Sequence, residues 1–212
     1  MECPRKGSSL QPQELMCKKT SIGLLIFFLT SLAYSKATLP NLITDDLTYW
    51  NVPKGNDQYG WYEVKDEVLM LRSSPDKKHS VLKTKKSFRD FICSFEFRFV
   101  EGNIDSGIEL RNNDQIQIGI SGSLKRDMTG SPYIPGKGYP KHAKSVDKIL
   151  KPKGWNLMSI RCVGPLYVVS LQGKEVVEYK SPRAIEKGPL GIQLHGNRDM
   201  KIDFRNFWIK SL

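Results

Sequence analysis

Apolar and polar residues alternate along most of the chain that follows residue 60. In residues 88–100 every second position is apolar, from Phe91 to Phe99, and Ser94, Glu96 and Arg98 stand between them. A period of two over this length is typical of a β-strand with one buried face. The same pattern predicts further strands over residues 67–72, 104–111, 115–120, 157–163, 167–172, 175–179, 190–195 and 201–210.

Turn-forming residues separate these segments. Asn112-Asn113-Asp114 lies between two predicted strands, and Gln172-Gly173-Lys174 predicts a tight hairpin. Many short strands without intervening helical patterns predict an all-β sandwich or barrel. Residues 121–152 interrupt the rhythm with many Gly, Pro and Lys residues. We predict that they form a long loop on the rim of a binding face.

The alternation also predicts which polar side chains point away from the core. If the strands concerned share one sheet, a single outer face carries eight of them: Glu96, Arg98, Glu109, Arg111, Gln115, Gln117, Gln193 and His195. Guanidinium, amide and carboxylate groups offer the paired donors and acceptors that grip vicinal hydroxyls of a sugar. Four aromatic residues are candidates for stacking on a sugar ring: Trp61, Tyr133, Tyr139 and Trp155. The alternative interpretation is a sandwich face that merely meets water.

The first 35 residues have the pattern of a secretory signal peptide. A basic start at Lys18-Lys19 precedes an apolar run and the small-residue site Ala33-Tyr34-Ser35. The apolar run of about a dozen residues is shorter than the roughly 20 that a membrane-spanning helix needs. We therefore predict a leader over residues 1–35, one domain over residues 36–212, and a secreted or periplasmic protein. A permanent membrane anchor is the alternative.

Charge and cysteine content narrow the function classes. The net charge is +11, and +9 remains without residues 1–35, which hold four basic and two acidic residues. The basic residues are dispersed, which favours a solvated surface or acidic glycans over a nucleic-acid site. Cys93 and Cys162 fall in apolar segments and are either buried thiols or a disulfide. No Cys/His spacing for zinc is present, and we predict neither a metal nor a cofactor.

Several short motifs, in order and spacing, resemble the 3-keto-disaccharide hydrolase domain family, whose members have a concanavalin A-like jelly-roll fold. The resemblance runs from about Asn41 to Leu212. It is carried by Gly60-Trp61-Tyr62, Phe95-Glu96-Phe97-Arg98, Asp105-Ser106-Gly107-Ile108-Glu109-Leu110-Arg111, Gln115-Ile116-Gln117-Ile118, Thr129-Gly130-Ser131-Pro132-Tyr133, Trp155-Asn156 and Gly188-Pro189-Leu190-Gly191-Ile192-Gln193-Leu194-His195-Gly196.

The resemblance implies an enzyme that cleaves glycosides already oxidised to a ketone at sugar carbon 3, by base-assisted elimination followed by hydration. The predicted catalytic residues are Glu109, Arg111 and His195, with Arg111 facing the enolate. The predicted substrate-binding residues are Glu96, Arg98, Gln115, Gln117, Tyr133 and Gln193.

The chain also departs from the family pattern. Gln115 stands where a glutamate is common, Asp105 stands for an asparagine, and Gly119-Ile120 replaces a segment that often carries an acidic residue. Either Glu109 or His195 has taken the role of base, or the site binds carbohydrate without cleaving it. A lectin-like binding module is therefore the second hypothesis, and an adhesive surface protein is the third.

Overall fold

The alternating segments pair into two antiparallel sheets, which a computed structural model describes over residues 39–212. The strands are β1 (Trp50–Asn51), β2 (Tyr62–Lys65), β3 (Val68–Arg72), β4 (Ser80–Thr84), β5 (Phe91–Gly102), β6 (Asp105–Leu110), β7 (Asp114–Ser121), β8 (Arg126–Asp127), β9 (Pro132–Tyr133), β10 (Asn156–Val163), β11 (Leu166–Leu171), β12 (Lys174–Lys180), β13 (Gly191–Leu194) and β14 (Met200–Ser211). A helical turn, α1 (Asn56–Tyr59), and a 3-10 turn (Val146–Lys148) complete the described elements. The predicted leader lies outside these residues.

The strands divide between a front sheet and a back sheet. The front sheet has the order β1-β4-β13-β6-β7-β8, with β9 paired to β7. The back sheet has the order β12-β11-β10-β5-β14-β3-β2. None of the helices within residues 39–212 has the length and apolar character needed to cross a bilayer.

The inward faces of the two sheets form one hydrophobic core. Ile108 and Ile116 of the front sheet and Phe95 and Phe97 of the back sheet are all fully buried. Phe95 stacks on Phe207 with ring centroids 5.0 Å apart. Burial of each side chain of this size contributes about 1.5–3 kcal/mol, which is why the alternating pattern determines the layered architecture.

Both cysteines of the described residues are free and buried in this core. Burial raises the pKa of the Cys93 thiol to about 12 and holds that of Cys162 well above its ordinary value. The thiols therefore behave as small apolar side chains, as one of the two sequence-based alternatives had it.

The sheet order corrects the predicted polar face. β5 pairs with β10 and β14, so Glu96 and Arg98 lie on the outer face of the back sheet. β6, β7 and β13 are neighbours in the front sheet. Alternation along a strand shows which side chains point outward, but it does not show in which sheet the strand lies, and the chain crosses between sheets directly after β5.

Candidate functional site

Strand register brings polar side chains into rows across the outer face of the front sheet. Gln193 of β13 lies opposite Gly107 of β6, which in turn lies opposite Gln117 of β7. In the next row, Gln115 pairs with Glu109 on one side and with Tyr133 on the other. Residues opposite each other in a sheet are close enough for their side chains to interact.

Gly107 leaves room for a side chain of the neighbouring strand. A Cβ atom at this position would overlap the end of the Gln115 side chain, which therefore lies across the glycine. Gly191 has a similar place beside Val81 and Glu109. Because the two glycines have no side chains, the outer face of the sheet is recessed between β4 and β7. We call this recessed surface the floor.

A chain of hydrogen bonds fixes the groups on this floor. Gln115 Nε2 donates to Gln117 Oε1 at 2.9 Å, and Gln117 Nε2 donates to Asp105 Oδ1 at 2.8 Å. The other carboxylate oxygen of Asp105 accepts from Gly122 N at 3.1 Å and from Arg198 Nε at 3.2 Å. Asp105, Gln115 and Gln117 are all buried. Because each amide is held by a neighbour, the remaining donors and acceptors have fixed directions.

His195 follows β13 and lies at the edge of the same floor. Its Nδ1 is 2.6 Å from the carbonyl oxygen of Gly196, an atom that can only accept. Nδ1 is therefore the protonated nitrogen, and the lone pair of the neutral ring is on Nε2. The ring of His79 packs edge-on at a centroid distance of 6.4 Å. Burial, with contributions from His195 and Lys83, lowers the pKa of His79.

These residues line a pocket of about 330 Å³, within the range of small-molecule sites. Its lining comprises Asp105, Gln115, Gln117, Ser121, Gly122, Ser123, Tyr133, Tyr139, Gln193, His195 and Arg198. We call this the front pocket. Tyr133 and Tyr139 form one wall, with ring centroids 5.2 Å apart. Both come from residues 121–152, the segment predicted to form a rim loop.

Two groups in the front pocket are poised to meet a ligand. Gln193 Oε1 is buried and has no hydrogen-bond partner within the described residues, and such an atom gains when a ligand hydroxyl donates to it. Burial raises the pKa of Tyr139 to about 12, and the nearby Asp105 and Tyr133 add to the shift. The Tyr139 hydroxyl is therefore a proton-bearing donor at neutral pH.

Glu109 lies beside the front pocket rather than in its lining. Its Oε2 is 3.7 Å from Lys83 Nζ, and the side chain is half-buried. Burial raises the pKa of Glu109, and Lys83 opposes the shift. The residue is adjacent to Gln115 in register, so its carboxylate borders the pocket floor.

Arg111 was predicted to share this face, and the structure places it elsewhere. It follows the end of β6 with a left-handed φ of 54°, and its side chain is 1% exposed. The guanidinium donates to the carbonyl oxygens of Gly164 and Ile185 at 2.7 and 3.1 Å, and to Asp90 Oδ1 at 3.3 Å. The change of backbone conformation breaks the alternation and turns Arg111 inward, where it joins loops of the two sheets.

Two other sets of predicted residues also lie away from the pocket. On the back sheet, Trp155 is packed between Arg98 and Arg205, whose guanidinium carbons are 4.7 and 4.1 Å from its ring centroid. Glu96 forms an ion pair with Arg205. Trp61 is buried and donates through Nε1 to Ser74 Oγ at 3.1 Å.

Sequence comparison places the chain in a family. The sequence profile of the 3-keto-alpha-glucoside-1,2-lyase-like domain matches residues 41–210. The chain belongs to this family. The resemblance drawn from the short motifs is thereby confirmed. Among curated proteins, none matches the chain.

Solved structures share the fold of this lyase-like domain. A candidate glycosyl hydrolase from Parabacteroides distasonis superposes with a TM-score of 0.60 at 22% identity, covering 82% of this chain and all of its own. The carbohydrate-binding module CBM66 from Bacillus subtilis superposes with a TM-score of 0.52 at 12% identity, covering 71% of this chain and 91% of its own. The predicted jelly-roll β-sandwich is confirmed.

Sequence reasoning did not assign a role to two residues that the lyase-like domain places in the pocket. Asp105 was noted only as a departure from the family's asparagine, and Arg198 was not singled out. Arg198 lies in the turn between β13 and β14, where no strand period predicts the direction of a side chain. Within residues 39–212, no group of three or more His, Cys, Asp or Glu side chains is arranged to hold a metal ion.

Proposed function

We propose that the protein binds a glycoside oxidised at carbon 3 in the front pocket and cleaves its glycosidic bond. The observation that carries the proposal is the placement of His195, which lines the front pocket with its Nδ1 bonded to the Gly196 carbonyl and its Nε2 without a hydrogen-bond partner within residues 39–212. The family match and the glycosyl hydrolase among its structural neighbours support the same reaction class. The predicted leader supports action outside the cytoplasm.

The proposed chemistry starts with the ketone. A carbonyl at carbon 3 makes the proton on carbon 2 acidic, so a neutral imidazole can remove it. The electron pair of the C2–H bond moves to the carbon-3 oxygen and gives an enolate. When that pair returns, the C3=O bond re-forms, a C1=C2 double bond forms, and the C1–O glycosidic bond breaks. Addition of water across C1=C2 then gives the free 3-keto sugar.

The front pocket supplies a side chain for each step of this reaction. His195 Nε2 accepts the proton from carbon 2 and, once protonated, can return it to the departing oxygen. The Tyr139 hydroxyl and the Gln193 amide are the donors for the enolate oxygen, a role expected from the sequence for Arg111. Gln115 and Gln117 hold the sugar hydroxyls. Glu109, whose pKa is raised by burial, is the second candidate for the base because it borders the floor.

Carbohydrate binding without cleavage is the second candidate function. It is favoured by Asp105, the one carboxylate that the described residues contribute to the pocket lining, because it already accepts hydrogen bonds from Gln117, Gly122 and Arg198. Gln115, which replaces the family glutamate, cannot act as a base. The structural likeness to CBM66 shows only that the same fold occurs in a binding module.

Incubation with a 3-keto disaccharide and with its unoxidised parent separates the two candidates. We expect monosaccharide release from the 3-keto compound alone. The His195→Gln variant should lose about 10²–10⁴-fold in kcat, the usual contribution of a general base, and should bind the sugar with nearly unchanged affinity.

The matched control is His142→Gln, because His142 lies outside the front-pocket lining. Cleavage by His195→Gln at the wild-type rate would remove His195 as the base and leave Glu109, tested in the same way by Glu109→Gln. Tight binding with no turnover of either sugar would establish the binding module instead.

A further inference from the structure

A second hollow lies next to the front pocket, at the β7–β8 turn. This hollow, of about 560 Å³, is lined by Gly102, Asn103, Ile120, Ser121, Gly122, Lys125 and Arg198. Ser121, Gly122 and Arg198 also line the front pocket. The two spaces therefore share part of one wall, as two neighbouring sugar subsites would.

The turn that separates the two spaces is internally bonded. Lys125 N donates to the carbonyl oxygen of Ser121 at 2.8 Å, and Leu124 N donates to Ser121 Oγ at 3.2 Å. Ser121 itself is buried. Lys125, with a left-handed φ of 52°, is thus carried on a defined turn and is one of the residues that line the second hollow.

Arg198 stands on the boundary with one edge anchored. Its Nε donates to Asp105 Oδ2, and its Nη1 donates to the carbonyl oxygen of Asn197 at 3.4 Å. Its Nη2 has no hydrogen-bond partner within residues 39–212 and lies against Gly122, where a side chain would overlap it. Asp105 is held in turn by Gln117, so the guanidinium is oriented from the floor of the front pocket.

The charged residues that line the second hollow are basic. Its lining contains two cations, Lys125 and Arg198, and no carboxylate among the residues that the structure describes. Asp105 neutralises part of the Arg198 charge from the front-pocket side, whereas Lys125 has no ion-pair partner within residues 39–212. Guanidinium and ammonium groups both bind carboxylates, and a guanidinium does so through paired N–H donors.

We infer that the second hollow is the subsite of the leaving-group sugar and that this sugar is acidic, bearing a carboxylate that Arg198 Nη2 and Lys125 bind. The inference rests on the proposed function, because it assigns the oxidised ring to the front pocket beside His195. The leaving-group sugar then extends past Ser121 and Gly122, and its carboxylate meets the two cations.

A matched pair of substrates tests the inference. One is a 3-keto-glucosyl-glucose, and the other is the corresponding 3-keto-glucosyl-glucuronate, so that only the sixth carbon of the leaving group differs. We expect kcat/KM to be about five- to tenfold higher for the acidic substrate at low ionic strength, in keeping with one or two partly exposed charge contacts. The preference should shrink as salt is added, because salt screens exposed charges.

The Lys125→Gln variant localises the effect. It should reduce the preference for the acidic substrate, which is the ratio of the two kcat/KM values, at least threefold. The control is Lys174→Gln, which makes the same charge change at an exposed position of the back sheet. This control should retain the full preference.

The outcomes separate the inference from the proposed function. Equal kcat/KM for the two substrates, or a preference that survives Lys125→Gln, overturns the acidic subsite and leaves cleavage standing. If the wild-type protein cleaves neither substrate, the proposed cleavage fails. Calorimetric titration with the same two disaccharides then tests the subsite alone: tighter binding of the acidic sugar that depends on Lys125 supports it, and equal binding overturns it.

Discussion

Glu109 is a carboxylate whose ionisation opposes folding. Burial raises its pKa in the folded protein, and the nearby Lys83 only partly offsets this. A raised folded pKa contributes stability that is complete below the unfolded value of 4.5 and is lost as the pH rises through the folded value. At neutral pH the wild-type protein therefore carries the cost of a half-buried charge.

The Glu109→Gln variant should therefore melt at a higher temperature than the wild type at pH 7. The difference should approach zero below pH 4.5, the ordinary value for this carboxyl, because both side chains are then neutral. Thermal melts at several pH values measure it. A variant that melts lower than the wild type at pH 7 would show that the Lys83 ion pair outweighs the burial cost, contrary to this expectation.

Individual residues also show where sequence reasoning is strong and where it fails. Gln115, Gln117 and Gln193 point outward as their strand period predicts, because each sits inside a regular strand. Arg111 lies one residue beyond β6, and its left-handed backbone turns the side chain into the interior. A period of two carries no information at a position where the extended conformation ends.

At the scale of elements, the pocket floor depends on a glycine in the middle of a strand. Gly107 of β6 provides the space in which the Gln115 side chain of β7 lies, and this places the Gln115 amide on Gln117. Glycine weakens a strand interior, and it is tolerated where another group must approach closely. Here that group is part of the proposed sugar site.

We expect the Gly107→Ala variant to bind the sugar about three- to tenfold more weakly, the loss expected from one misplaced hydrogen-bonded amide. Its stability should change by less than about 1 kcal/mol, since alanine restricts the unfolded chain more than glycine does. Calorimetric titration and urea unfolding measure the two quantities.

The same substitution made in a protein that already lacks the Gln115 amide makes this test specific. If the added methyl group acts by displacing Gln115, then Gly107→Ala should have little further effect on affinity in a Gln115→Ala protein. Gly154→Ala, in the loop before β10, is the control and should bind normally. Additive losses in the double variant would mean that Gly107 acts on the ligand through another route.

The strands themselves were predictable, whereas their distribution between sheets was not. Predicted strands over residues 104–111 and 115–120 match β6 and β7, and the segment over 88–100 largely matches β5. Their order in the chain gives no sign that β5 pairs with β10 and β14 in the opposite sheet. Which strands become neighbours depends on how the inward faces of the two sheets pack together. β5, β6 and β7 all have apolar inward faces of the same kind, so the pattern does not distinguish their sheets.

For the whole molecule, the two outer faces have different chemistry. On the back sheet, the charged residues that the sequence predicted for the site are paired with protein groups: Arg98 donates to the buried Asp203 at 2.8 Å and covers Trp155, and Glu96 pairs with Arg205. The front pocket instead contains two atoms, Gln193 Oε1 and Arg198 Nη2, that have no hydrogen-bond partner within the described residues. Recognition should therefore be confined to the front sheet, although the sequence predicted that both sets of residues would share one site.

A pair of variants tests this division. Arg98→Gln should lower the free energy of unfolding by about 1–3 kcal/mol, because it removes a hydrogen bond to a buried carboxylate and a cation–π contact. It should leave sugar affinity unchanged. Gln193→Met, of similar size, should weaken sugar binding about tenfold or less, in keeping with the loss of one hydrogen bond. It should change stability little, because Gln193 Oε1 has no hydrogen-bond partner within residues 39–212. Urea unfolding and calorimetric titration of both variants give the comparison.

If Arg98→Gln abolished binding while Gln193→Met retained it, the sugar site would have to lie on the back sheet, and the front pocket would lose its assignment.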